Sequence, residues 1–373
     1  MTELATLLNA PLWSQGERAL ICTERHDETQ DGDTVTATTF FFQTAPQPSR
    51  FDYLPGQFLL LTVTIAGRQI SRAYSLSSAP TRPHALAITV KRVVGGEVSN
   101  YLIDTLQPGM MVSAQPPQGQ FHLPQTLPAQ LLLLSAGSGI TPMLSMTRTL
   151  RDLGLKNPIH FVYSARHEND VIFRDELLAR AKEDSHFHLT LLLEKSSDTL
   201  TLSRGRLATG RLNAELLAET TAGLNDYQIF LCGPSGYMDA VNGLLDAPRH
   251  VGVPRHEERF SSSANPSPAA NPDAAATSSL SETQSSHFAL SVPAFGTQTS
   301  ISADETLLDV LEREGLPIIG ACRAGVCGSC KCKVESGEVQ SSSAMALTPE
   351  QVAEGYVLAC SSKATSDLQL TIG

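Results

Sequence analysis

Four cysteines dominate the chemistry this chain could do. Cys322, Cys327 and Cys330 fall in one short stretch, Cys322-Arg-Ala-Gly-Val-Cys327-Gly-Ser-Cys330, and Cys360 follows after twenty-nine intervening residues. Four thiolates can hold two irons, two ligands to each. Three ligands from one loop and a fourth from a distant element is the plant-type 2Fe–2S arrangement. Gly325 and Gly328 suit such a loop, because a backbone without Cβ atoms can turn its N–H groups toward sulfur. Structural zinc usually takes two matched cysteine pairs, which this spacing does not offer. Cys332, two residues past Cys330, is expected to be a small packed side chain and not a fifth ligand.

Other segments could hold phosphate. In Arg72-Ala-Tyr74-Ser75 the guanidinium offers a fork of donors to an anion. On a strand, Arg72 and Tyr74 share one face and Ser75 takes the other. By itself the tetrapeptide also reads as an ordinary β-strand. Gly95-Gly96-Glu97-Val98-Ser99 places glycines before a helix start, where free backbone N–H groups attract anions; a plain hairpin or cap reads equally well. Leu131–Leu134 runs directly into Ser135-Ala-Gly137-Ser-Gly139-Ile-Thr141-Pro142, a strand, a glycine turn and a helix with a proline in its first turn. Such a turn lets a pyrophosphate approach the helix N-terminus.

The elements that must position these segments differ along the chain. From Ala19 to about Phe121 the text is β-like, with strands at Val35–Phe42, Phe58–Ile65 and Leu86–Val90 and turns at Pro55-Gly56, Ala66-Gly67 and Pro108-Gly109. Six or so strands with little helix suggest a small antiparallel barrel. From Gln130 apolar strands at Ile159–Tyr163, Leu189–Leu193 and Ile229–Cys232 alternate with helical stretches such as Phe173–Lys182, the pattern of a parallel sheet. The last of these strands ends in Cys232-Gly233-Pro234, at the edge where ligands of such sheets lie. Residues 261–286 hold almost no large apolar side chains and read as a linker, with a mean span of roughly 28 Å as a flexible coil. Residues 287–373 form a unit around the cysteine loop, with a short helix at Thr306–Arg313. The expected division is therefore 16–127, 128–260, 261–286 and 287–373, preceded by fifteen residues that read as a loosely held arm.

Composition narrows the function classes. The 373 residues carry a net charge of −11, which argues against nucleic acid and an anionic membrane surface as partners. No apolar run approaches the length of a membrane span, and no leader pattern opens the chain. Seven cysteines, four of them spoken for, fit a reducing cytoplasm. The ten histidines show no metal spacing; His186 and His188 could share a strand face, but no metal is expected there.

Taken together, the motifs resemble the ferredoxin–NADP reductase superfamily. Arg72-Ala-Tyr-Ser75, Gly96-Glu-Val-Ser99 and Gly119-Gln-Phe121 are similar to its flavin motifs. Ala136-Gly-Ser-Gly-Ile-Thr-Pro-Met143, Tyr163-Ser-Ala-Arg166 and Cys232-Gly-Pro234 are similar to its pyridine-nucleotide motifs. With a ferredoxin attached, the chain resembles a narrower group that includes the reductases of Rieske-type demethylases, of hybrid-cluster protein and of phenylacetyl-CoA epoxidase. The resemblance implies a multidomain α+β fold: an antiparallel β-barrel for FAD, an α/β parallel-sheet nucleotide domain and a β-grasp ferredoxin domain. It implies that Arg72 binds flavin phosphate, that Tyr74 lies against the flavin ring and that Ser75 acts near its N5 atom. Gly96, Val98 and Ser99 would cradle the pyrophosphate, favouring FAD. Gly137, Gly139 and Thr141 would line the dinucleotide, Arg166 its phosphate or ribose, and Cys232 and Gly233 the nicotinamide. Glu258 and Phe260 match a Glu-x-Phe that sets an aromatic near the flavin, although a structural role fits them as well. Tyr74, Ser75, Thr141 and Cys232 would then be the catalytic set.

The parts explain one another. A nicotinamide releases two electrons at once, a 2Fe–2S cluster accepts one, and a flavin mediates between them. The expected protein is a monomeric NADH-dependent oxidoreductase, with NADPH as the alternative donor, that passes single electrons to an acceptor protein, either hybrid-cluster protein or a terminal oxygenase. NADH is favoured because Glu194, after the strand that follows Arg166, would repel a ribose phosphate. The ferredoxin unit, with ten acidic against five basic residues, would steer toward a basic partner. Two rival readings stand beside this one: a flavin reductase or diaphorase with free flavin as acceptor, and a redox sensor that uses its cluster as a switch.

Overall fold

Residues 10–196, 200–260 and 287–372, apart from 319, 321, 322, 324, 326, 327 and 345, are described by a computed structural model. The linker reading at 261–286 and the ligands Cys322 and Cys327 lie outside the described residues. The chain divides into two units, Met1–Ser262 and Ser263–Gly373.

In the first unit, β1 (Leu12–Trp13), β2 (Arg18–Asp31), β3 (Thr34–Thr44), β4 (Arg50–Phe51), β5 (Phe58–Ile65), β6 (Arg68–Ser75), β7 (Leu86–Lys91) and β8 (Met111–Ala114) precede the nucleotide half, with α1 (Glu97–Thr105) between β7 and β8. Six of these strands form an antiparallel sheet in the order β6-β5-β8-β2-β3-β7. Its two ends meet through a single bridge, Leu76 to Ile88, so the expected barrel closes at one point. Leu20, Phe40, Phe42, Leu59, Leu61 and Ile88 fill the interior, and Val98 and Leu102 of α1 pack on the same cluster. Burial of such side chains contributes roughly 1.5–3 kcal/mol each.

Among the described residues, Leu12 and Trp13 are not part of a loose arm, which corrects the sequence reading there; residues 1–9 lie outside the described residues. β1 pairs in parallel with β4, and Trp13 is fully buried edge-on against Phe51 with ring centroids 6.0 Å apart. Burial of a large indole helps offset the entropy lost in ordering a short segment, provided its N–H is satisfied. Here the Trp13 Nε1–H donates to the Gly16 carbonyl at 2.9 Å.

The nucleotide half follows with β9 (Gln130–Ala136), α2 (Ile140–Asp152), β10 (Ile159–Ala165), α3 (Arg174–Glu183), β11 (Phe187–Leu193), β12 (Arg206–Thr209), α4 (Ala214–Thr220), β13 (Tyr227–Pro234), α5 (Ser235–Leu245) and β14 (Arg255–Phe260). The sheet is wholly parallel in the order β12-β11-β10-β9-β13-β14. Helices cover both faces, so its central strands are continuous apolar runs, and Leu131–Leu134 are all fully buried. Leu131 and Leu133 meet α2 and α3 on one face; Leu132 and Leu134 meet α4 and α5 on the other. The chain starts at β9, winds outward through β12, and returns to the far side of β9 with β13. The carboxyl ends of β9 and β13 therefore flank the topological switch point, where such folds hold ligands. α3 begins one residue later than its sequence pattern suggests, because Phe173 caps it in a left-handed conformation at φ 57°.

The second unit contains β15 (His287–Val292), β16 (Thr297–Ser302), α6 (Leu307–Arg313), β17 (Lys331–Ser336), β18 (Val339–Ser341), α7 (Pro349–Ala353), β19 (Tyr356–Leu358), β20 (Ser362–Ala364) and β21 (Leu368–Ile372). Its main sheet runs β16-β15-β21-β17-β19, with β15 and β21 parallel and the other pairs antiparallel, the β-grasp arrangement. α6 starts after Thr306, whose side chain accepts from the Asp309 N–H while Asp309 answers in a capping box. Leu307, Leu308, Val310 and Leu311 then pack into the core that also holds Cys330, Cys332 and Cys360.

Candidate active site

The sheet topology draws residues far apart in sequence to one place. Cys232 on β13 is level with Ser135 on β9 and with Glu258 on β14. Ser75, at the end of β6, reaches across from the barrel and donates its Oγ hydrogen bond to Glu258 Oε2 at 3.1 Å. Ser75, Cys232 and Glu258 are all buried. Burial, reinforced by the Glu258 carboxylate, holds the Cys232 thiol well above its usual pKa, so it stays protonated. Phe260, two residues past Glu258, lies level with Pro234 and packs on the nucleotide-half core.

Above Cys232 lies the glycine turn. Gly137–Gly139 forms a single 3₁₀ turn leading into α2. A Cβ on Gly139 would stand 2.2 Å from the Cys232 carbonyl oxygen, so only glycine lets the turn sit on the end of β13. Tyr163, fully buried on β10, donates its hydroxyl to the Gly137 carbonyl at 3.0 Å, and Thr141 Oγ1 donates to the Ser138 carbonyl at 3.0 Å. Neither α1 nor α2 has a side-chain cap at its N-terminus. Their first backbone N–H groups fit the phosphate oxygens of nucleotides.

Arg72 and Tyr74 share β6 with Ser75, as the strand alternation requires, and Arg72 Nη1 donates to the Ser71 carbonyl at 2.8 Å. Gly96 caps α1, Val98 is buried beneath it, and Ser99 Oγ accepts from the Val93 N–H at 3.2 Å. Lys91 was not singled out by its sequence. It ends β7, and its Nζ lies 3.5 Å from where a Gly137 Cβ would be. Burial pulls the Lys91 ammonium below its usual pKa; Asp170 opposes this and Arg166 adds to it. A cation held this way beside a glycine turn is suited to an anionic ligand. A basic residue closing an apolar strand just before Gly95-Gly96 is the only sequence sign of it.

Arg166 and Glu194 also come together. The Glu194 N–H donates to the Ala165 carbonyl at 3.0 Å and the Lys195 N–H to the Arg166 carbonyl at 3.1 Å. Glu194 is exposed, and its carboxylate accepts from Arg211 Nε at 2.9 Å. Arg166 itself lies 3.4 Å from Asp170.

In the second unit the cysteine chemistry is visible in the described half of the ligand set. The Gly325 N–H donates to Cys360 Sγ at 3.2 Å, and the Cys360 N–H donates to Cys330 Sγ at 3.5 Å. Backbone donors aimed at sulfur favour thiolates, the form that binds iron. Gly325 has φ 71°, and a Cβ there would stand 2.6 Å from Ser343 Cβ. Ser343 Oγ donates to the Gly325 carbonyl at 2.8 Å, and Ser361 Oγ donates to the Ser343 carbonyl at 2.9 Å. Arg323, left-handed at φ 53°, pairs with Glu312 and lies 3.6 Å from Asp309, tying the loop to α6. Burial beside Cys330 pushes the Cys332 thiol up to about 12, which suits a packed side chain. These donors fit a 2Fe–2S cluster, as the capless helix ends and the glycine turn fit FAD and a pyridine dinucleotide.

Comparison with known proteins agrees. An oxidoreductase FAD-binding domain model matches residues 32–123, an oxidoreductase NAD-binding domain model residues 133–243, and a 2Fe-2S iron-sulfur cluster binding domain model residues 294–365. The glycine betaine monooxygenase reductase subunit of Pseudomonas aeruginosa is 34% identical over 95% of each chain. The NADH oxidoreductase HCR of Escherichia coli is 36% identical over 86% of this chain and 89% of that one. The solved structure of phthalate dioxygenase reductase shares the fold, with a TM-score of 0.63 and 24% identity over 96% of this chain and 98% of that one.

Proposed function

The chain belongs to the ferredoxin–NADP reductase superfamily, in the branch whose members carry a C-terminal 2Fe–2S ferredoxin domain, and on that premise we propose how its residues divide the work of an NADH-dependent reductase. Bound FAD supplies the conversion of a two-electron hydride into the single electrons that a 2Fe–2S cluster accepts. The observation that carries the reading is the Ser75–Glu258 hydrogen bond beside Cys232, which joins the flavin-motif strand to the edge of the nucleotide sheet.

Arg72 and the N–H groups from Gly96 to Ser99 hold flavin phosphates, and Tyr74 covers the ring. Ser75 keeps its hydroxyl aimed by donating to Glu258. The N-terminus of α2, with Gly137, Gly139, Thr141 and the ammonium of Lys91, holds the dinucleotide pyrophosphate. Cys232 and Gly233 present a neutral, small surface to the nicotinamide; a thiol kept protonated by burial packs there without acting as a nucleophile. Phe260 closes the flavin side. At the adenosine end, Glu194 favours a free ribose hydroxyl over a phosphate, and Arg166 steadies the ribose. Cys322, Cys327, Cys330 and Cys360 hold the cluster.

The acceptor is a terminal oxygenase on this reading, in preference to hybrid-cluster protein. The match to an oxygenase reductase spans 95% of each chain, and the match to the NADH oxidoreductase HCR spans 86% and 89%. The reductase works as a cytoplasmic monomer. Among the described residues no helix is long and apolar enough to cross a membrane.

Reduction of cytochrome c and of ferricyanide by NADH tests the proposal. Cys360→Ser should abolish most cytochrome c reduction and leave ferricyanide reduction, which needs only the flavin. Equal cytochrome c rates with and without the cluster would favour the diaphorase reading.

A further inference from the structure

One face of α2 fastens the segment that follows Ser75. Ser145, Arg148 and Asp152 lie three and four residues apart and project from the same side of the helix. Ser145 Oγ donates to the Ser78 carbonyl at 2.6 Å, and Arg148 Nη1 donates to the Ser77 carbonyl at 2.5 Å. Asp152 accepts from Arg82 Nε at 2.9 Å, Arg82 Nη2 at 2.8 Å and Thr81 Oγ1 at 2.6 Å. The start of the same helix carries the Gly137–Gly139 turn.

Arg148 also belongs to a wider set of contacts. It pairs with Glu176 of α3 and lies 4.8 Å over the ring of Phe173. The carboxylate of Glu28 on β2 lies near the Phe173 backbone and within the field of the Arg148 charge. Glu28 accepts from Thr39 Oγ1 at 2.6 Å. Thr39, Thr89 and Ser77 then continue as a chain of buried hydroxyls at 2.8 and 3.0 Å. Ser77 is thus held from two sides, its carbonyl by Arg148 of the nucleotide half and its hydroxyl by Thr89 of the barrel.

We propose that Arg148 is a positioning residue for hydride transfer. By fixing Ser77 it fixes Ser75, two residues away, against the glycine turn at the other end of α2. The Arg82–Asp152 pair is a second, outer fastening of the same segment. An exposed pair of this kind adds little to stability, so its effect falls on geometry. This rests on the reading above, in which Ser75 acts at the flavin and the turn holds the dinucleotide. Loss of the Arg148 fork lets the 77–82 segment shift, and a shift near 1 Å at reacting groups costs about a hundredfold in rate.

The test uses the full-length holoprotein as wild type and as Arg148→Gln, Arg148→Lys and Asp152→Asn. Three quantities are followed: flavin reduction by saturating NADH in stopped flow, charge-transfer absorbance between flavin and nicotinamide, and hydrogen exchange of the 77–82 amides in the oxidised holoprotein before NADH is added. Arg148→Gln should slow flavin reduction by about 10- to 100-fold, weaken the charge-transfer absorbance and speed exchange at 77–82, with FAD content and NADH affinity nearly unchanged. Arg148→Lys should recover part of the rate. Asp152→Asn should act in the same direction but more weakly, which keeps the test open if the half-buried arginine proves essential for folding. Wild-type rates and wild-type exchange in Arg148→Gln and Asp152→Asn would overturn the proposal. So would a rate loss that simply tracks loss of bound FAD. If NADH fails to reduce the wild-type flavin, the functional reading falls, while unchanged exchange at 77–82 would separately refute the fastening.

Discussion

Gly139→Ala is the sharpest perturbation of the nucleotide site. Its new Cβ would meet the Cys232 carbonyl oxygen at 2.2 Å, the carbonyl carbon at 2.5 Å and Gly233 Cα at 2.8 Å. All three are backbone atoms in a buried central strand, so none can rotate away. Ordinary C···O contacts lie near 3.3–3.6 Å, so turn and strand must part by about 1 Å. Overpacking of this kind costs about 1–3 kcal/mol in stability. A displacement of about 1 Å at the site lowers the rate about a hundredfold, equivalent to about 2.7 kcal/mol of barrier. Gly236→Ala is the matched control: Gly236 sits in α5 with nothing within 4 Å of an added Cβ. Alanine there should stabilise the helix by about 0.5–1 kcal/mol and leave the rate alone. The assay is stopped-flow reduction of bound FAD by NADH, with FAD content measured alongside. A Gly139→Ala protein that is reduced at the wild-type rate would refute the assignment of this turn to the dinucleotide.

Three further outcomes are expected. Cys330→Ser and Cys360→Ser should lose iron and keep FAD, whereas Cys332→Ser should keep both; metal and flavin analysis decides, and an iron-free Cys332→Ser would overturn the ligand assignment. NADH should show the higher kcat/KM, and Glu194→Ser should raise kcat/KM for NADPH by about tenfold, or about 1.4 kcal/mol of relieved like-charge contact, because Arg166, Lys195 and Arg211 would then meet the phosphate unopposed. Burial against His188, with ring centroids 4.7 Å apart, lowers the His160 pKa from 6.5 to about 4. Between those values the unfolded chain binds the extra proton, so stability contributed by neutral His160 is full above about pH 6.5 and declines as pH falls toward 4; urea titrations should show this slope flattened in His160→Phe.

Much of the site was legible because its chemistry needs particular residue types at fixed spacing. The cysteine loop, the glycine turn after Leu131–Leu134 and the Arg72–Ser75 strand all belong to that class. The parallel sheet was legible because burial on both faces writes unbroken apolar runs. β14 was not, since Arg255-His-Glu-Glu-Arg-Phe260 is a polar edge strand whose pairing is supplied by β13. Trp13 was missed because two residues cannot show a period, and only its docking on Phe51 gives them a fold. Lys91, the Ser75–Glu258 bond and the Arg148 contacts join residues tens to hundreds of positions apart, and no local pattern encodes such partners. Phe173 looked like the first residue of a helix, but the cap needs a left-handed backbone that apolar periodicity does not reveal.

The central claim is that electrons enter as a hydride and leave singly through the cluster. Anaerobic addition of NADH to the purified protein, followed by low-temperature electron paramagnetic resonance, tests it most directly. The account expects the flavin to bleach and the signal of a reduced 2Fe–2S cluster to appear within turnover time, with no such signal from Cys360→Ser. A flavin that bleaches fully while the wild-type cluster stays oxidised would contradict it.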